Sequence, residues 1–244
     1  MNTCQTFKNL STYTWRIINR AYNSKLTFGE DAITSIILDQ IIENCKNAVV
    51  VQDTRPKESK CGCDFEFWIQ DFNGWNRYAV QAKKIDFQSQ TYKSLKHTVG
   101  KIQILQIDIL EAYAQNKALP LYCLYNSSPQ QTSNNEDIYG CAIINTTSIR
   151  RAINQKGGKS YSALRPMMHP WHYLVCPSEK IHLKNIFANY SGKFFYDELP
   201  EALLKLRKMN KRLIAKNFEK LDIFDDNFPN KPSYPKSIII IPND

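Results

Sequence analysis

The sequence predicts an α/β protein, and three observations carry that prediction. Two alternating segments, 63–70 and 77–85, flank an Asn-Gly pair at 73–74. An apolar stripe of helical period precedes them at 28–45. Further apolar runs follow at 119–126 and 138–144, after a second helical stretch at about 90–117. Helices interleaved with strands in this order call for a sheet packed by helices.

Each element has its own warrant. Residues 5–22 mix apolar and polar positions at helical spacing. In 28–45, Ile33, Ile36, Ile37, Leu38 and Ile41 form the stripe, and Glu30 and Asp31 stand in the first turn, where the helix dipole favours negative charge. Residues 48–52 read as a short buried strand. In 63–70, Asp64, Glu66 and Trp68 share one face, and Phe65, Phe67 and Ile69 the other. The Asn-Gly signals a hairpin, with 77–85 as the returning strand. Residues 127–137 are a polar loop, and 161–177 gather Pro, His and aromatic residues. A basic helix is predicted over 197–220, then a Pro-rich linker and a final strand around "SIIII".

The bulk numbers narrow the field. The chain of 244 residues carries 32 Lys and Arg against 23 Asp and Glu, a formal net charge of +9. That balance favours polyanion partners, nucleic acid first. No run of about 18 apolar residues occurs, so no membrane span is expected. No export signal is read at the start, and seven cysteines are therefore expected as reduced thiols in a cytoplasmic protein. "GGKS" at 157–160 resembles the end of a phosphate loop, but Ile153 stands where its first glycine belongs.

The segment "AVQAKKID" at 79–86 poses the chemical question. Gln81 and Lys83 share one strand face inside an apolar run, and a buried ammonium is costly without a partner. A hairpin in the right register sets Asp64 and Glu66 beside them, with Glu30 on the preceding helix. A carboxylate, an amide oxygen and a lysine suit phosphodiester hydrolysis with Mg²⁺ or Mn²⁺, which take oxygen ligands. Asp64 and Gln81 are the metal-side candidates. Lys83 is the candidate for orienting water and stabilising developing charge.

Gly62–Asp64 and Val80–Lys84 together resemble the G-x-D…Q-x-K motif of Mrr-type members of the PD-(D/E)XK nuclease superfamily. The resemblance is densest over 28–126, and "GEDAIT", "GCDFEFW", "PLYCLYN" and "YGCA" look like an uncharacterised bacterial family within it. It implies a restriction-endonuclease-like mixed central sheet flanked by helices, with an α-rich C-terminal extension. It implies a metal-dependent DNA endonuclease, acting in defence against phage or foreign DNA, with Glu30 as a supporting acid. Gln81 stands where many members carry an acid. The domain reading is 1–177 for the nuclease-like unit and 178–244 for a basic extension packed on it.

Glu66 is a further candidate, as a metal-side acid or as a partner for Lys83. Tyr92 and Gln103, assigned to the 90–117 helix, are candidates to hold a water or a phosphate; the plainer reading makes both polar residues of a helix–sheet contact. Lys205, Arg207, Lys208, Lys211 and Arg212 of the basic helix either track DNA or form a solvated face. Cys61, Cys63, His169 and His172 offer a zinc reading, but their spacing is not that of a zinc finger. DNA is the expected partner, with RNA open to the same chemistry. A homodimer and an activating ligand or regulatory partner are consistent with the resemblance. The rival reading is a degenerate core that binds without cutting.

Overall fold

The computed structural model describes residues 2–52, 61–100, 102–129, 135–182, 190, 192–208 and 235–243. In chain order the strands are β1 (Val49–Gln52), β2 (Phe65–Asp71), β3 (Gly74–Lys84), β4 (Thr98–Val99), β5 (Ile104–Leu105), β6 (Leu119–Tyr125), β7 (Cys141–Asn145), β8 (His169–Pro170), β9 (Phe195–Tyr196) and β10 (Ser237–Ile241). The helices are α1 (Thr3–Asn23), α2 (Glu30–Asn44), α3 (Gln106–Ala114), α4 (Thr146–Asn154), α5 (Tyr161–Leu164) and α6 (Glu201–Lys208). The fold is mixed α/β, with a central mixed sheet flanked by helices, as the sequence predicts. The sheet runs β1–β10–β2–β3–β6–β7–β8, and β9 joins the start of β3. β2–β3 and β6–β7 are antiparallel, while β3–β6 and β10–β2 are parallel.

Burial on both faces explains the strand compositions. β6 and β10 are buried throughout, so neither can alternate with polar residues. β2 sorts its two faces instead. Phe67 meets Phe7 of α1, with ring centroids 5.9 Å apart, on one side. On the other, Trp68 joins Ile238 and Ile240 beneath Leu203 and Leu206 of α6.

The Asn-Gly hairpin forms, with one shift. Asp71 pairs with Gly74, so Phe72 and Asn73 make the two-residue loop and the glycine opens β3. A Cβ at Gly74 would lie 2.3 Å from the Tyr196 carbonyl oxygen, because β9 crosses there. α2 begins at Glu30 and buries Ile33, Ile37, Leu38 and Ile41, four of the five stripe residues.

Three local expectations are corrected. The single helix over 90–117 is three elements: a 3₁₀ turn at Lys93–Lys96, the β4–β5 ribbon, and α3. Gly100 at φ +73° and Gln103 at φ +53° turn the ribbon, which no continuous helix accommodates. The strand expected from 138 starts at Cys141, after a 3₁₀ turn at Glu136–Tyr139. The C-terminal segment is also less of an appendage than expected. β10 lies inside the sheet between β1 and β2, so a boundary at 177 divides one sheet. Of the basic helix, α6 spans Glu201–Lys208; Lys211, Arg212 and the Pro-rich linker up to residue 234 lie outside the described residues.

The cysteines are not all reduced. Cys4 and Cys176 form a disulfide with Cα atoms 4.9 Å apart, whereas Cys45, Cys61, Cys63, Cys123 and Cys141 are buried and not disulfide-bonded. α1 lies along the 161–177 cluster, where Phe7 and Trp171 sit 4.4 Å apart ring to ring, and that packing brings residues 4 and 176 together. Among the described residues no three His, Cys, Asp or Glu side chains are grouped to hold a metal, so the zinc reading has no support. The Cys61 thiol donates to the Cys63 carbonyl, and His172 faces Glu179. No described helix is long and apolar enough to cross a membrane.

His172 sets a pH dependence. Its Nε2 lies 2.8 Å from Glu179 Oε2, while its buried Nδ1 has no partner among the described residues. Burial lowers its pKa, against the pull of Glu179. A neutral ring with its proton on Nε2 satisfies Glu179; a second proton on Nδ1 would meet no acceptor. The unfolded chain therefore binds more protons below about pH 6.5, the ordinary histidine value. Stability from this group is complete above that pH and is lost as pH falls below it. Thermal unfolding of the wild type is expected to shift to lower temperature in that window, and His172→Gln is expected to flatten the shift. Equal slopes in both proteins would refute the assignment.

Candidate active site

Asp64 stands one residue before β2, and its N–H donates to the Val80 carbonyl at 2.9 Å, extending the ladder. That register sets it opposite Gln81. Asp64 Oδ2 accepts hydrogen bonds from the Gln81 side-chain amide and from the Ala82 N–H, the latter at 2.7 Å. Gln81 Nε2 also donates to the Ala82 carbonyl at 3.1 Å. With its nitrogen so committed, Gln81 Oε1 is a buried acceptor without a partner among the described residues. A buried polar atom left this way costs about 1–3 kcal/mol unless something else satisfies it.

Lys83 lies on the same strand face and is 4% exposed. Its Nζ is 3.7 Å from Glu30 Oε1. Glu30 reaches it from the first turn of α2, and its other oxygen accepts from the Lys84 N–H at 2.7 Å and the Ser94 hydroxyl at 3.5 Å. Lys84 points the other way and donates its Nζ to the Phe28 carbonyl, tying down the loop before α2. The buried lysine therefore faces Glu30.

These groups line one pocket of about 300 Å³. Glu30, Asp31 and Thr34 come from α2, and Asp64, Gln81 and Lys83 from the hairpin. Ser94, His97 and Gln106 close the remaining side. Asp31 also pairs with Lys236 at 3.1 Å. Gln106 opens α3, and its N–H donates to the His97 carbonyl at 2.9 Å, pinning the base of the ribbon. Its own Oε1 is a second buried acceptor without a partner among the described residues. Gly62 sets how closely α3 approaches. It holds φ +66°, and a Cβ there would lie 2.7 Å from Leu110 N and 2.9 Å from the Gln106 carbonyl.

Four of the candidates named from sequence therefore meet in one place: Glu30, Asp64, Gln81 and Lys83. Glu66 does not line the pocket and is not the partner of Lys83. It is fully buried in a two-point ion pair with Arg77, at 2.8 and 3.0 Å. Tyr92 is buried and donates its hydroxyl to Asn126, and Gln103 bonds Thr98 and Gly100 at the ribbon turn. Lys205, Arg207 and Lys208 do not line the pocket either. Lys205 pairs with Glu201, and Arg207 lies over the Trp75 ring. Ser94, His97 and Gln106 went unnamed in the sequence reading. Gln106 heads the apolar run "QIDILEAYA", so a helix start placed at 106 rather than 90 would have drawn attention to it instead of Gln103.

None of the curated proteins compared with the chain matches it. A family model does, over residues 3–235, a span that contains every pocket residue. The chain belongs to the Family of unknown function (DUF6615).

Proposed function

We propose that the pocket hydrolyses phosphodiester bonds of DNA with Mg²⁺ or Mn²⁺. The observation that carries this reading is the Gln81 amide. Its nitrogen is held by Asp64, and its oxygen is a buried acceptor without a partner among the described residues, in a pocket that also holds a buried lysine. Asp64 and the Gln81 amide oxygen are hard oxygen donors that fit such a cation, while the other two lining carboxylates, Glu30 and Asp31, are engaged by Lys83 and Lys236. Mg²⁺ keeps waters and substrate phosphates in its shell and takes only one or two carboxylates, so no three-acid cage is needed. Asp64 and Gln81 Oε1 would hold it, and when bound it polarises the phosphate and acidifies water. Lys83 Nζ donates to the phosphoryl oxygens, where negative charge grows. Glu30 holds that ammonium in place. Gln106, with its open acceptor, accepts a hydrogen bond from the attacking water. The basic chain, with pI about 9.1, suits a polyanion. The motif resemblance to PD-(D/E)XK nucleases supports the same chemistry, a cytoplasmic DNA target and a role in defence.

A second reading, a module that binds without cutting, draws on Asp64 Oδ2 being already engaged by Gln81 and Ala82. One experiment separates them. Purified protein is incubated with supercoiled plasmid in Mg²⁺, Mn²⁺ and EDTA, with a labelled RNA in parallel. Thermal unfolding is recorded with and without Mn²⁺ for wild type and Asp64→Asn. The expected result is nicking with metal only, and an Mn²⁺-induced rise in unfolding temperature that Asp64→Asn abolishes. The absence of both nicking and metal stabilisation would defeat the hydrolytic reading, and RNA cut in place of plasmid would reassign its substrate.

A further inference from the structure

A second groove adjoins the pocket. It holds about 430 Å³ and shares Glu30 and Ser94 with the pocket as a common wall. Its far side is the end of α1 and the loop that follows, and its near side is the chain leaving β3 at Ile85–Phe87. The Tyr22 and Phe87 rings lie 4.4 Å apart there, at 33° to one another. Tyr22 is 47% exposed and Leu26 61% exposed, and both line the groove, so an aromatic and an aliphatic side chain are offered to solvent there.

Charge separates the two cavities. Two lysines and two carboxylates line the groove, and none of the four stands without a partner. Lys93 pairs with Asp86 at 2.6 Å, Lys84 with the Phe28 carbonyl, and Glu30 with Lys83. The groove is thus apolar, aromatic and charge-balanced, whereas the pocket across the wall has excess carboxylate and a buried lysine. A nucleotide divides in the same way, into an uncharged π-faced base and a charged phosphate.

We propose that this groove takes the base of the nucleotide next to the phosphate held in the pocket, so the substrate is single-stranded or locally unpaired nucleic acid. The inference rests on the phosphodiester reading of the pocket. A base in a paired stack presents only its edges, and the Tyr22 face can be reached only by a base that has left the stack.

The test uses the full chain carrying Lys83→Met to prevent cutting. Fluorescence anisotropy with Mn²⁺ measures binding of a labelled 12-nucleotide single strand and of the duplex of the same sequence. The single strand is expected to bind more tightly. Tyr22→Ala is expected to weaken it about tenfold, the effect of losing one stacked base, and to leave the Mn²⁺-induced thermal shift intact. Tyr22→Leu, which keeps a cover on Phe87 but no aromatic face, is expected to weaken it as well. Unchanged single-strand affinity in both variants, or a duplex bound as tightly as the strand, would overturn the proposal, as would no binding of either. The two readings fail separately. Wild type that nicks plasmid while binding is insensitive to Tyr22 defeats the groove alone. Tyr22-sensitive binding without nicking or metal stabilisation keeps the groove and defeats the hydrolytic reading.

Discussion

Arg77→Met is expected to destabilise the fold by about 3–5 kcal/mol, the cost of stripping one partner from a buried ion pair. Urea unfolding reads it as a lower midpoint at an unchanged slope. Glu66 has no exposure at all, and its carboxylate is held by Arg77, by the Tyr113 hydroxyl at 2.6 Å and by the Trp68 indole at 3.3 Å. Burial pulls the Arg77 pKa down, but Glu66 beside it more than reverses this, so the guanidinium stays charged. Burial, then Glu66, pushes the Tyr113 hydroxyl well above its usual value, so it remains a donor. Without Arg77, two neutral donors face a full negative charge in the interior. The double variant Glu66→Leu, Arg77→Met is expected to recover part of the loss, because the orphaned charge goes with its partner. A single-variant cost below about 1 kcal/mol, the range of an exposed pair, would show that water reaches Glu66.

Lys83→Met carries the largest expected effect on activity under the proposed function: nicking falls by about 100- to 1,000-fold, as for loss of a charge-stabilising donor at a reacting centre. Methionine preserves the buried stem and removes only the ammonium. Glu30 keeps its bonds from the Lys84 N–H and Ser94, so thermal stability is expected to change little. The Mn²⁺-induced rise in unfolding temperature is expected to survive, since Asp64 and Gln81 are untouched. That separates Lys83 from Asp64, whose loss removes both readouts. Cutting by Lys83→Met at the wild-type rate would move the chemistry away from this pocket.

Much of this was legible in the sequence, for local reasons. The Asp64–Gln81 pairing follows from strand alternation and one two-residue hairpin. Glu30 follows from helix-start chemistry, and the β3 strand with Lys83 from its apolar setting. What stayed hidden depends on partners distant in sequence. Glu66 and Asp64 look alike in the pattern, yet Tyr113 seals one and a pocket opens over the other. The disulfide spans 172 residues and follows from how α1 packs, which cysteine spacing does not encode. The 90–117 segment reads as helical because its apolar residues recur at helical intervals. The two positive-φ turn residues of the ribbon include a glutamine, a residue that rarely signals such a turn.

The position of β10 bears on how the protein is made. β1 and β2 arise early in synthesis, but the strand that joins them comes from residues 237–241. A nascent chain leaves the ribosome at about 5–20 residues per second and folds from its N-terminal end. Until β10 emerges, the outer edge of β2 exposes unpaired backbone beside buried-type side chains, a template for pairing with another chain. The hairpin that bears Asp64 and Gln81 therefore spends the whole time needed to translate residues 85–236 with one edge open. A cell expressing this protein has reason to shield that edge with chaperones until the last strand arrives.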